Sequence, residues 1–160
     1  ARLWKPEQAM KTLTPLMEYI DILCTTEEDT ATVFQIKGKD YKEVAQKLAE
    51  RFNFKVVAIT LRENITVWRN NWTAIAYHQG KFYQDRTYEL EIVDRVGAGD
   101  SFVGGFMYSY LHDDKDIQRA LQYGVAFSAL KHTCPTDFNW STLEEVEKLI
   151  AGSGSLRISR

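Results

Sequence analysis

The residues best suited to chemistry lie in one run, Val93-Asp94-Arg95-Val96-Gly97-Ala98-Gly99-Asp100-Ser101-Phe102-Val103-Gly104-Gly105-Phe106. It reads as a strand end, a turn of small residues and a helix start. Gly97 and Gly99 permit backbone angles that other residues resist, and Ala98 keeps the surface small. The first N–H groups of a helix have no intrahelical acceptor and carry the positive end of its dipole. Such a turn suits an anion, for instance a transferring phosphoryl group. Asp100 falls in that first turn. A carboxylate there can orient a substrate hydroxyl and take its proton as the phosphorus–oxygen bond forms. The same residues admit a plainer reading, an ordinary helix start with Asp100 as its cap. Gly104 and Gly105 each cost a helix about 0.8–1 kcal/mol against Ala, which makes sense where another backbone or a flat ligand packs closely.

Strands and helices alternate around this run. Glu7–Ile20 is predicted helical from Met10, Leu13, Leu16, Met17 and Ile20 at helical spacing, with Pro6 suited to its first turn and Pro15 marking a kink or break. Asp21–Thr25 is predicted as a buried strand, and Thr26-Glu27-Glu28-Asp29 as a strand-to-helix turn rich in caps and acids. Tyr41–Phe52 carries an apolar stripe. Val56–Leu61 is a continuous apolar run of the kind buried on both faces of a parallel sheet. The period then becomes two. Ile65–Trp68, Ala74–His78 and Phe82–Tyr83 are predicted as short antiparallel strands, with turns at Asn70-Asn71 and Gln79-Gly80. Three helices follow: from the glycines after Val96 to about Leu111, from Asp116 to about His132, and from Ser141, where Ser141-Thr142-Leu143-Glu144 fits a capping box. Interleaved strands and helices argue for an α/β layered fold with a mainly parallel sheet.

Composition bounds the rest. At 160 residues, 44% hydrophobic and 26% charged, the chain is about one domain and is not a disordered one. A net charge of −2 argues against nucleic acid held by a basic face, and no apolar run is long enough for a membrane span. Cys24 and Cys134 form no metal or redox motif, so a reducing cytoplasm is expected. They read as small buried apolar residues, and His78, His112 and His132 as structural or surface groups. Ala1-Arg2-Leu3-Trp4 opens without Met or leader, and a fragment of a longer chain is expected. Residues 151–160, with Gly152-Ser153-Gly154-Ser155, are expected to be a flexible tail.

Asp94-Arg95-Val96-Gly97-Ala98-Gly99-Asp100 closely resembles the carboxy-terminal signature of the ribokinase-like (PfkB) carbohydrate kinases, D-T-x-G-A-G-D, with Arg95 replacing the usual small residue. The Asp-Arg-Val variant, Arg2 to Trp4, Ala129-Leu130-Lys131-His132-Thr133 and Asp137-Phe138-Asn139-Trp140 are similar to the 2-keto-3-deoxygluconate kinase branch. The resemblance covers essentially the whole chain and corresponds to the second half of the family's usual length. It implies a partial ribokinase-like domain over 1–150, the carboxy-terminal, nucleotide-binding half.

It also implies roles. Asp100 would be the catalytic base, and Gly97, Ala98 and Gly99 with the Asp100 amide the anion hole. Asp94 would organise the loop beside a monovalent cation, and Asp94, Arg95 and Asp100 would face the substrate. Thr60 and Arg62, in Thr60-Leu61-Arg62-Glu63, fall where the family contacts nucleotide phosphates; Arg62 replaces a glycine, and pairs with phosphate or is a solvated surface charge. Thr26 and Asp29 fall where the family has Asn-x-x-Glu, which orders Mg2+ through water; the alternative is a capped helix start. Val125 and Ala129 would lie on the helix lining the adenine site, or serve ordinary helix packing. Thr136 stands where the family tends to have glycine. Arg2 is a candidate for a substrate carboxylate, or a surface charge.

The expected activity is transfer of the ATP γ-phosphoryl to a primary hydroxyl of 2-keto-3-deoxygluconate or a related sugar, with this chain inactive alone. A homo-oligomer is compatible with it. The alternatives are a non-catalytic nucleotide-binding or assembly module of the same fold, and a dinucleotide-binding Rossmann domain. No G-x-G-x-x-G follows either early strand to support the latter.

Overall fold

In the computed structural model, which describes residues 4–152, the chain divides into two units. One comprises Ala1–Leu61 and Ala74–Tyr83, the other Arg62–Thr73 and Gln84–Arg160. Residues 153–160 of the expected tail lie outside the described residues.

The first unit opens with α1 (Pro6–Leu13), which has Pro in its first turn and passes into a 3-10 helix, Thr14–Tyr19. The helix expected over Glu7–Ile20 is therefore broken, next to Pro15, whose ring gives no N–H and crowds the turn before it. Strand β1 (Ile22–Thr26) leads into α2 (Glu27–Val33), capped by the Thr26 side chain. Helix α3 (Tyr41–Phe52) has the expected bounds, with Val44, Ala45, Leu48 and Ala49 buried on its apolar stripe and Phe52 half-buried. Asp40 accepts the Glu43 N–H at its start, and Asn53, at φ 59°, ends it. Its Val44, Ala45 and Leu48 pack with Met17, Phe34 and Ile59 in the unit's core.

Strand β2 (Val56–Asn64) lies parallel to β1, with Ile22 opposite Val56 and Thr26 opposite Thr60. Its first four residues are fully buried, which suits the unbroken apolar run. Strands β3 (Arg69–His78) and β4 (Lys81–Gln84) are joined by Gln79 and Gly80 at φ 48° and 80°. Paired positive angles give the turn whose twist fits a hairpin.

In the second unit, the link from β2 to β3 departs from expectation. Ile65–Trp68 is the turn itself: the Ile65 and Thr66 N–H groups both donate to the Arg69 carbonyl, at 3.0 and 2.9 Å. The turn expected at Asn70-Asn71 is strand, and Asn70 is fully buried. Strand β5 (Tyr88–Glu91) runs antiparallel to β3, with Arg69 opposite Glu91 and Trp72 opposite Tyr88. Parallel pairing at β1–β2 and antiparallel pairing at β3–β5 make the sheet mixed.

Helices α4 (Ala98–His112), α5 (Ile117–His132) and α6 (Leu143–Ile150) complete the unit. Helices α4 and α5 meet closely at Gly105, where a Cβ would stand 2.6 Å from the Tyr123 carbonyl oxygen. At Gly104 the nearest atom, in the Phe127 ring, is 3.9 Å away, so of the two glycines only Gly105 serves a close backbone contact. The capping box of α6 joins Thr142 and Glu145, one residue later than expected. Asn139 Oδ1 accepts the Ser141 N–H, which holds Ser141 outside the helix. Among the described residues no helix is long and apolar enough to cross a membrane.

Candidate active site

Helix α4 begins at Gly97, whose backbone is left-handed at φ 80° and which is the N-cap. Just upstream, Asp94 Oδ1 accepts the Val96 N–H at 2.9 Å, closing a short side-chain turn. Arg95 donates through Nη2 to the Val67 carbonyl at 3.1 Å, which pins this loop to the β2–β3 turn. The N–H groups of Val93 and Asp94 donate to the His132 carbonyl, at 2.8 and 3.3 Å, tying it to the end of α5.

The amides of the turn divide into two sets. The Ala98 N–H is spent on the Arg95 carbonyl at 3.2 Å, and the Ser101 N–H on the Gly97 carbonyl at 2.9 Å. Among the described residues no protein acceptor takes the N–H of Gly97, Gly99 or Asp100. Of the four amides expected to face an anion, Ala98's is thus engaged, and Ala98 is buried. Gly99 and Asp100 are exposed. Asp100 does not cap the helix: Gly97 holds that position and no side chain caps α4. Among the described residues nothing pairs with the Asp100 carboxylate, which leaves it available as a proton acceptor.

Side chains that sequence reasoning did not single out hold this turn rigid. Ser128 on α5 donates to the Ala98 carbonyl at 2.7 Å. Asn139 donates to the Phe127 carbonyl at 2.8 Å and the Ser101 hydroxyl at 3.3 Å. Ser128 carried a signal, since it shares one helical stripe with Ile117, Ala120, Leu121, Gly124 and Val125, an inward face on which a hydroxyl needs a partner. Burial, together with the charges of Lys131, Arg95 and Arg62, holds the His132 imidazole below its ordinary range. Val125 and Ala129 are fully buried and fill the helix core, so neither faces open space. Arg62 is exposed on β2. A cavity of about 330 Å³ lies beside Gly104, Tyr108, Tyr123, Phe127 and Leu143.

In the first unit, Thr60 is half-buried opposite Thr26, and its hydroxyl donates to the Thr25 carbonyl at 3.5 Å. Thr26 Oγ1 donates to Asp29 Oδ2 at 2.7 Å and accepts the Asp29 N–H at 3.2 Å. The Thr26 hydroxyl is therefore engaged as a helix cap, and exposed Asp29 keeps one carboxylate oxygen outside that pair. Among the described residues no group of three His, Cys, Asp or Glu could hold a metal directly. A single exposed hard oxygen donor fits Mg2+ held through water and does not fit a dehydrated ion. Arg2 lies outside the described residues.

Comparison with known proteins gives concordant results. The profile described as "pfkB family carbohydrate kinase" matches residues 1–141. The 2-dehydro-3-deoxygalactonokinase of Haloferax volcanii is 34% identical over 152 residues, which is 95% of this chain and 45% of the relative. The solved 2-dehydro-3-deoxygluconokinase of Thermotoga maritima superposes with a TM-score of 0.90 at 42% identity, over 94% of this chain and 47% of that one. An E. coli protein solved in complex with ATP and Mg2+ gives a TM-score of 0.71 at 26% identity, over 89% of this chain and 42% of that one. The chain spans about half the length of the relatives it matches. The fold is the ribokinase-like α/β arrangement expected from the sequence, as part of such a domain.

Proposed function

Because this chain belongs to the pfkB family of carbohydrate kinases, we propose that it forms the nucleotide-binding half of an ATP-dependent sugar kinase acting on 2-keto-3-deoxygluconate or a related sugar acid. The names of the Haloferax and Thermotoga relatives support the substrate class. The E. coli complex supports ATP and Mg2+. Free Cys24 and Cys134 suit a reducing cytoplasm.

In this reading Asp100 accepts the proton of the sugar's primary hydroxyl as its oxygen attacks the γ-phosphorus. The new oxygen–phosphorus bond forms, the bond to the bridging oxygen breaks, and ADP leaves. The amides of Gly97, Gly99 and Asp100 receive the charge on the phosphoryl oxygens, prepositioned by Ser128 and Asn139. Asp94 shapes the loop. Arg95 keeps guanidinium donors beyond the one spent on Val67, and these suit a sugar carboxylate; Arg2 is the second candidate for that group. Thr60 and Arg62 serve the nucleotide phosphates. Mg2+, when bound, would spread their charge, with Asp29 holding its water shell and Thr26 orienting Asp29. Val125 and Ala129 support the adenine side from within the core.

The observation that carries this reading is Asp100: an exposed carboxylate in the first turn of α4, not used as its cap, beside amides that have no acceptor among the described residues. The test is Asp100→Asn in the full-length kinase, assayed by ADP release with a panel of sugar acids. The expected loss in kcat is roughly 10²–10⁴, with melting unchanged, because Asn keeps the shape. Wild-type turnover in that variant would remove the assignment.

A further inference from the structure

Lys131 is fully buried at the end of α5. A buried ammonium ordinarily has a carboxylate for a partner. This one has carbonyls instead: Nζ donates to the Cys134 oxygen at 3.1 Å and lies 3.5 Å from the Asp94 oxygen. Among the described residues no ion pair involves it. The two carbonyls belong to different segments that bracket the start of α4. Asp94 precedes Gly97 in the loop that forms the turn. Cys134 begins the stretch that brings the Asp137 carbonyl against Gly97.

Backbone carbonyls converging on one positive charge are how proteins replace the water shell of a monovalent cation. An ammonium carries the same charge and takes the same oxygens. We infer that the Lys131 ammonium is a built-in substitute for the free monovalent cation expected beside Asp94. The cation site is thus filled covalently, and the two segments around the anion turn are tied together without a dissociable ion. Lys131 is a positioning residue: it touches neither phosphate nor sugar, and it acts through the Asp94 and Cys134 backbone. The inference rests on the family reading that puts a cation beside Asp94. Its test reads melting rather than turnover, so its failure and the failure of the kinase assignment are separately visible.

The experiment is thermal melting of the full-length kinase, without nucleotide or sugar, in KCl and in choline chloride at equal ionic strength, for the wild type and for Lys131→Met. The wild type is expected to melt at the same temperature in both salts. Lys131→Met keeps the apolar stem but leaves the carbonyls without a cation. It is expected to melt on the order of 5 °C lower in choline chloride and to recover saturably as K+ is added; folding only in KCl is the same result in stronger form. A wild type stabilised saturably by K+ overturns the inference even if the Met variant never folds. So does a folded Lys131→Met protein that melts alike in the two salts.

Discussion

A Cβ at position 97 would overlap the Asp137 carbonyl oxygen, which faces Gly97 across the turn. The same residue holds φ at 80°, so both the space and the angle require glycine. By contrast, a Cβ built on Gly99 meets nothing within 4 Å. Gly97→Ala is therefore expected to destabilise the chain by about 2–4 kcal/mol, a drop of roughly 5–15 °C in Tm. Gly99→Ala should be neutral, or stabilising by up to about 1 kcal/mol, yet in the full-length kinase it should lower kcat by crowding the amide face. Equal melting of the two variants would show that the Asp137 contact does not constrain the turn.

Thr136, one residue before that carbonyl, sits at φ 71°. A β-branched residue is strained there, and glycine would not be. Thr136→Gly is expected to raise stability by about 1 kcal/mol despite glycine's greater freedom when unfolded, whereas Thr136→Ala should gain little. Denaturant midpoints for the three proteins check this, and a destabilised Gly variant would contradict it.

What could be read in the sequence was what local chemistry decides. Helix α3 was legible because Asp40 caps it and its stripe is regular. The Gly97–Asp100 turn was legible because glycine's permissiveness and an exposed helix start are properties of the residues themselves. The β2–β3 link was not, because Ile65, Val67 and Trp68 look like strand but are exposed in the turn, while Asn70 looks like turn but is fully buried. Tertiary packing overrode propensity at both places. Strand β5 did carry a signal, with Tyr88 and Leu90 alternating with Glu, but at four residues it is too short to stand out. Burial of Val125 and Ala129 agrees with the ordinary helix packing that the sequence also allowed for them. Nothing in a lone lysine's type announces that Lys131 is buried among carbonyls.

His132 gives an acid-side expectation. It is 1% exposed, its Nδ1 lies 2.8 Å from the Ser128 carbonyl, and its ring packs on Trp72 at 4.9 Å. Burial lowers its pKa, with Lys131, Arg95 and Arg62 acting in the same direction. Between the ordinary histidine value and the lower folded value, the unfolded chain binds more protons. Stability is thus complete above the ordinary range and falls as pH drops through it. Melting temperature should decline between pH 7.5 and 5.0, and His132→Phe, which retains the ring packing, should show a smaller decline. Equal slopes for the two proteins would remove His132 as the cause.

Asp85 gives the opposite sign. It is 7% exposed, and its Oδ2 has no hydrogen-bond partner among the described residues. Burial raises its pKa, and outweighs the lowering by the Arg86 N–H and the Arg86 charge. The folded chain therefore holds this proton to higher pH than the unfolded chain does. The contribution is fully present below the ordinary carboxylate value and is lost as pH rises through the folded one. At neutral pH the fold carries a buried carboxylate that it would hold more easily as a neutral group. Asp85→Asn keeps the shape and an acceptor for the Arg86 N–H while removing the charge. It is expected to melt roughly 2–6 °C above wild type at pH 7.5, with the gap closing as pH falls into the ordinary carboxylate range. A gap that is constant across that range would mean the gain comes from packing or hydrogen bonding, and not from the charge.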